Sequence, residues 1–287
     1  MAQNDAEAGS VMATPLRARP DLATVAAIAA VVDVSATLIH EGLGHGGTCL
    51  LMGGTPRLLT SMQFQGDQQM LSSFAVRVIS ASGSVANALA GMLAIMLLRR
   101  NREGPRTGWF FWWLFATVNL LQAAGYPLYS GVGNIGDWAV VVAPLRPVWL
   151  WRIFLTVIGA CAYWAVTRWA MDRLGQHLSA SPPGRVAEAY RYTLVAYGTG
   201  GLLSVAAGLL EPGGVVLVLI SGLAASLGGT SALAWGPQLL HDPRLGMPTD
   251  TPLRVTRDVR WIVVAALVAI AFVLVLGPGI PRRGAGP

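Results

Sequence analysis

The sequence predicts an all-α, polytopic membrane protein of about seven transmembrane helices, and three observations carry that expectation. Of its 287 residues 54% are hydrophobic and only 12% are charged, about half the charged share of an ordinary soluble domain. The apolar residues fall in long runs instead of alternating or amphipathic patterns. Several of those runs reach the roughly 20 residues that a helix needs to cross a hydrocarbon core of about 30 Å.

Helix 1 is expected from Leu22 to Met52, after a polar N-terminal tail (1–21) whose mixed charges, including Asp5, Glu7, Arg17 and Arg19, make a poor signal-peptide start. The following stretch, Gly53–Met70, is too polar to span, and the alternation in Leu59–Phe64 predicts a short strand or hairpin at the membrane face. Helix 2 covers Ser72–Leu98. Helix 3 begins at the aromatic cluster Trp109, Phe110, Trp112 and Trp113, an interfacial belt, and breaks near Ala124 at GYPLYSGVGNIGD. Helices 4 to 7 are placed at Val148–Met171, Ala189–Leu210, Val215–Leu240 and Trp261–Leu276. Helix 6 carries the small-residue stripe GLAASLGG, suited to close packing. The SASPPG linker then divides a four-helix core (22–171) from a three-helix bundle (189–276), with 172–188 between them and a tail at 277–287.

The net charge of +6 rests on arginine alone, because no lysine occurs. The arginines sit between apolar runs, so anionic lipid headgroups are the expected partner and nucleic acid is not. On alternate sides of the helices they divide 14 to 6, which predicts a cytoplasmic N-terminus in what is expected to be a bacterial cell membrane. Cys49 and Cys161 form no metal-binding spacing and are expected to be small buried packing residues.

Chemistry concentrates in His40-Glu41-Gly42-Leu43-Gly44-His45, in the C-terminal part of helix 1. Each ionisable group at membrane depth costs about 2.5–3.5 kcal/mol, so three together need a compensating partner. A divalent cation is the expected one, since imidazoles and carboxylates are zinc ligands. The spacing is one residue longer than the usual zinc helix. Histidines at i and i+5 point about 140° apart on an ideal α-helix. A π-bulge would bring them together, and Gly42 and Gly44 ease that deformation. A rival geometry uses Glu41 and His45, at i and i+4, and leaves His40 outside. Asp137, just after the glycine-rich break in helix 3, is the candidate third ligand.

These residues resemble the site-2 protease family of intramembrane zinc metalloproteases. The chain offers His40-Glu41 and His45 on helix 1, then Gly83-Ser84-Val85-Ala86-Asn87 on helix 2, then Asn119-Leu120-Leu121 leading to Gly136-Asp137. The resemblance covers about the first half of the chain. It implies that His40, His45 and Asp137 bind Zn2+ and that Glu41 is the general base acting on zinc-bound water. It also implies that Asn87 contacts the substrate, a transmembrane peptide, and that the polar stretch after helix 1 is the family's membrane-associated sheet. The HExxxH spacing and Ser84, in place of the family's proline, depart from the pattern.

Other polar residues have simpler expected roles. Asp33 shares the helix face of His40 about 10 Å away and would hydrate the site or pair with another buried polar group. Asn119 and Gln122 are read as interhelical hydrogen-bonding residues, Glu211 as an end marker of helix 5, and His177 and His241 as linker residues. Two other functions compete with proteolysis: a membrane scaffold with a structural metal site, and a metal-ion or proton transporter. A transporter should show paired broken helices in symmetric halves, and only helix 3 is clearly interrupted.

Overall fold

The computed structural model describes residues 19–100, 106–179, 181–214, 227–249 and 251–281. Asp21 opens the first helix, where its Oδ1 accepts hydrogen bonds from the backbone N and Oγ1 of Thr24, both at 2.8 Å. An N-cap of this kind satisfies amide groups that the first turn would leave unpaired. The helix α1 (Leu22–Thr37) runs directly into a π-wound segment (Leu38–Gly47) and a last α turn, α2 (Thr48–Leu51). The chain then forms the hairpin β1 (Thr55–Leu59) and β2 (Phe64–Asp67), followed by α3 (Ser73–Arg100), α4 (Thr107–Gly133), the short α5 (Asp137–Val142), α6 (Val148–Gly175) and α7 (Pro182–Gly208). Two short turns, α8 (Gly228–Thr230) and α9 (Ala232–Trp235), lead into a 3-10 turn (Gly236–His241). The last helix, α10 (Val259–Ala271), continues π-wound over Phe272–Leu276 and ends in β3 (Ile280–Pro281).

At the centre stands α4, packed against α1, α3 and α6. Its Phe110, Trp113, Leu114 and Leu121 are fully buried with Ile28 and Val32 of α1 and Leu174 of α6, and Trp113 Nε1 donates to the carbonyl of Ala170 at 3.0 Å. Outer helices show the opposite pattern. On α6 Trp149, Ile153, Phe154 and Val157 are exposed, as are Val263, Leu267 and Ile270 on α10 and Leu274 on its π-wound continuation. Stripes of that kind are contiguous apolar surface, which water-facing monomers rarely carry.

Four helices are long and apolar enough to cross a membrane: Leu22–Leu51, Ser73–Arg100, Val148–Gly175 and Val259–Leu276. The expected count of seven is therefore not supported among the described residues. The expected helices 3 and 5 correspond to α4 and α7, of 27 residues each, but neither reaches that apolarity. A helix enclosed by protein, as α4 is, can carry Asn119, Gln122 and Pro127 without meeting lipid. Residues 215–226 of the expected helix 6, with most of its small-residue stripe, lie outside the described residues, and the rest is short turns.

Three further expectations change. The protein is mostly helical but not all-α, because the hairpin after helix 1 belongs to a three-stranded antiparallel sheet ordered β2-β1-β3. In it Leu59 pairs with Phe64 on one side and Ile280 on the other. The break placed near Ala124 comes about ten residues later, at Asn134 (φ 55°) and Gly136 (φ 78°), where left-handed backbone suits Asn and Gly. Finally, Cys49 is buried as expected but Cys161 is exposed.

The linker between α6 and α7 is tied down rather than loose. Leu253 N donates to His177 O at 2.9 Å, and His177 Nδ1 hydrogen-bonds to Thr251 O at 2.9 Å. Partial burial pushes the His177 imidazole below the usual histidine range, with Arg173 adding to the effect. A depressed histidine favours the fold above the unfolded value of about 6.5, and that contribution is lost as pH falls through the folded value. Protection of the Thr249 and Leu253 amides against exchange, measured relative to their intrinsic rates, should therefore fall as pH drops below about 6.5, and should lose that pH step in a His177→Gln variant.

Candidate metal centre

The motif on helix 1 is not α-wound. Residues Leu38–Gly47 form a ten-residue π-helix, in which hydrogen bonds close from i to i+5. Residues five apart then lie one above the other, as residues four apart do in an α-helix. His40 and His45 come together edge to face, with ring centroids 4.8 Å apart and planes at 83°. The deformation that the spacing required is present.

Both rings meet one carboxylate. Oδ2 of Asp137 lies 3.2 Å from Nε2 of His40 and 3.2 Å from Nε2 of His45. Asp137 is the first residue of α5, and that short helix is anchored at each end. Trp138 Nε1 donates to Ser84 Oγ at 3.1 Å, and Arg77 Nε donates to the carbonyl of Val141 at 2.8 Å. Arg152 holds the preceding end of α4 by donating to the carbonyls of Gly131 and Val132.

His45 is fixed from behind. Its Nδ1 lies 2.7 Å from the carbonyl of Ile79. A carbonyl only accepts, so Nδ1 carries a proton, and Nε2 is the ring nitrogen turned toward Asp137. The two Nε2 atoms also converge on α3 at Gly83, where a Cβ would lie 2.6 Å from each of them. Close approach is possible there because Gly44 and Gly83 face one another: a Cβ on Gly44 would meet Gly83 Cα at 2.6 Å. His40, Glu41 and His45 are all buried, and one donor atom from each lies within 4.8 Å of the other two. This group can hold a metal ion.

Comparison with protein-family models, curated proteins and solved structures finds no match. The local chemistry must therefore carry the reading.

A cavity of about 240 Å³ opens beside the cluster, lined by Glu41, His45, Tyr126, Tyr129 and Asp137 on one side and by Met62, Gln63 and Phe64 of the hairpin on the other. The hairpin is held over it by β3, by a hydrogen bond from Ser61 N to Leu276 O at 2.8 Å, and by Gln63 Nε2 donating to Glu211 at 3.3 Å. Glu211 thus latches the hairpin in addition to marking the end of α7.

The remaining candidates lie elsewhere. Asn87 is completely buried and donates to Gln122 Oε1 at 2.7 Å, so its amide joins α3 to α4 and does not line the cavity. Asn119 donates to Phe115 O within its own helix. Asp33 is buried against Gly200 of α7, away from the His-Glu-His cluster, and its Oδ2 has no hydrogen-bond partner among the described residues. Two contributors leave no mark in the sequence, Tyr126 and the carbonyl of Ile79, and Gly83 stood out there only as part of the helix 2 motif. The glycine had a signal, since a small residue is what lets two helices and two imidazoles share one point.

Proposed function

We propose that this protein is an intramembrane zinc metalloprotease, a divergent relative of the site-2 proteases, with His40, His45 and Asp137 as metal ligands and Glu41 as general base. The observation that carries the reading is the single Asp137 oxygen held 3.2 Å from both imidazole Nε2 atoms beside a cavity that Glu41 also lines. Two imidazoles and a carboxylate are a catalytic zinc donor set. The order of motifs along the chain and the hairpin beside the site add support.

A bound zinc ion supplies Lewis acidity, polarising a carbonyl and acidifying water. The chain's own residues do the rest. Glu41 accepts a proton from the attacking water as its oxygen adds to the peptide carbonyl carbon. It then delivers that proton to the departing amine nitrogen as the carbon–nitrogen bond breaks. Burial of His40, Glu41 and His45 keeps bulk water from competing. The substrate is a membrane-spanning peptide that unwinds locally to bring an extended backbone into the cavity.

The test uses detergent-purified full-length protein. Wild type should bind about one zinc per chain, and His45→Ala should bind far less, because three protein ligands fall to two. Glu41→Gln should keep zinc and lose cleavage of a fluorogenic transmembrane peptide by at least about 100-fold. Equal zinc in wild type and His45→Ala would end the metal reading, and an active Glu41→Gln enzyme would end the assignment of the base.

A further inference from the structure

The two histidines are supported in different ways. Ligating histidines ordinarily donate their second ring N–H to a carbonyl or carboxylate, which fixes both tautomer and orientation. His45 does so through Ile79. Nδ1 of His40 is buried and has no hydrogen-bond partner among the described residues. Its ring is instead stacked on Tyr126 of α4, with centroids 4.5 Å apart and planes within 26°. The edge of His45 lies against another side, and Gly83 closes on Nε2 and Cε1. A flat ring packed on one face allows the imidazole to slide but resists tilting, and tilting is the motion that would swing Nε2 out of line with Asp137.

We propose that Tyr126 is the positioning residue of His40: its ring, stacked on the imidazole, sets the orientation that a hydrogen bond to Nδ1 sets in other histidine ligands. The inference rests on the metal-site reading above. The ring does the positioning and the hydroxyl does not, so the role belongs to any flat side chain of suitable size at this position.

Zinc affinity of the detergent-solubilised full chain, measured by competition with a chromophoric chelator, tests this without any substrate. Tyr126→Phe should stay within about threefold of wild type, because the stacked face is retained. Tyr126→Leu should bind zinc about 10- to 100-fold more weakly, the usual loss when a ligand's support is removed. Tyr126→Met, flexible and of similar volume, replaces the leucine variant if that variant does not fold. Cobalt loading gives a second readout: the visible ligand-field bands of Tyr126→Phe should match wild type, and those of Tyr126→Leu should shift in position and intensity. A general packing defect would lower thermal stability of the metal-free protein without altering those bands. Leucine or methionine variants with wild-type affinity and spectrum would overturn the proposal. So would a phenylalanine variant as weak as leucine, since the hydroxyl would then be the active part. A wild type that takes up no zinc would remove the metal reading itself, and that failure is distinct from wild-type zinc binding in Tyr126→Leu.

Discussion

Gly83→Ala should abolish zinc binding without substituting any of the proposed ligands. The added methyl carbon would sit 2.6 Å from Nε2 of His40, 2.6 Å from Nε2 of His45 and 2.7 Å from Cε1 of His40. No carbon–nitrogen contact survives at that distance, so both rings must move from the positions in which they face Asp137. Overpacking of this kind costs typically about 1–3 kcal/mol, and here it falls on the nitrogen atoms that are to bind the metal. Zinc content by mass spectrometry of the purified variant should drop to background while helical content stays at the wild-type level. Gly47→Ala on the π segment is the control, because its methyl would meet nothing nearer than Gly42 O at 3.9 Å. That variant should bind zinc normally. If Gly83→Ala also retains zinc, the two histidines do not form the site.

Asp137→Asn should weaken zinc roughly 100-fold, about 3 kcal/mol at 1.4 kcal/mol per tenfold change. Asparagine preserves size and shape, and α5 remains anchored through Trp138 to Ser84 and through Arg77 to Val141. The backbone therefore has no reason to move, and the loss reports the charge of one carboxylate. Chelator competition on this variant also separates two donor sets. The three donors of His40, Glu41 and His45 are themselves close enough to share an ion. An Asp137→Asn protein with wild-type affinity would give the third position to Glu41 and leave the enzyme without its base.

Much of the site was legible because a geometric conflict was legible. Histidines five apart cannot converge on an α-helix, so a metal shared by both required a π deformation, and glycines at 42 and 44 permit it. Asp137 was recognisable as an acidic residue after a backbone break. The break itself was misplaced because Gly125, Gly131 and Pro127 read as interruption. In the structure α4 continues through Pro127, and Gly125 and Gly131 are contact points, the first against Gly229 and the second against the backbone of Arg152 and Thr156 on α6. A glycine chosen for contact and one chosen for conformation look alike in a sequence. Tyr126 and Ile79 could not be found at all, since stacking and a backbone carbonyl leave no pattern along the chain. The third strand was equally hidden: two residues, Ile280 and Pro281, pair with a segment more than two hundred positions away. Among the described residues seven spans are not supported, in part because apolar length was taken as exposure to lipid, whereas α4 is enclosed by its neighbours.

That third strand has a consequence for the timing of assembly. Helix 1 and its histidines leave the ribosome before Asp137, which follows His40 by 97 residues. The sheet that roofs the cavity pairs β1 with residues 280–281, which are synthesised more than two hundred residues after it. At roughly 5–20 residues per second, the interval between the first ligand and the closing strand is of the order of ten seconds or more. For that interval the ligand residues exist under a roof that lacks its third strand. The roof is therefore completed long after the histidines emerge, and a nascent chain presents the His-Glu-His cluster before it can present the finished cavity.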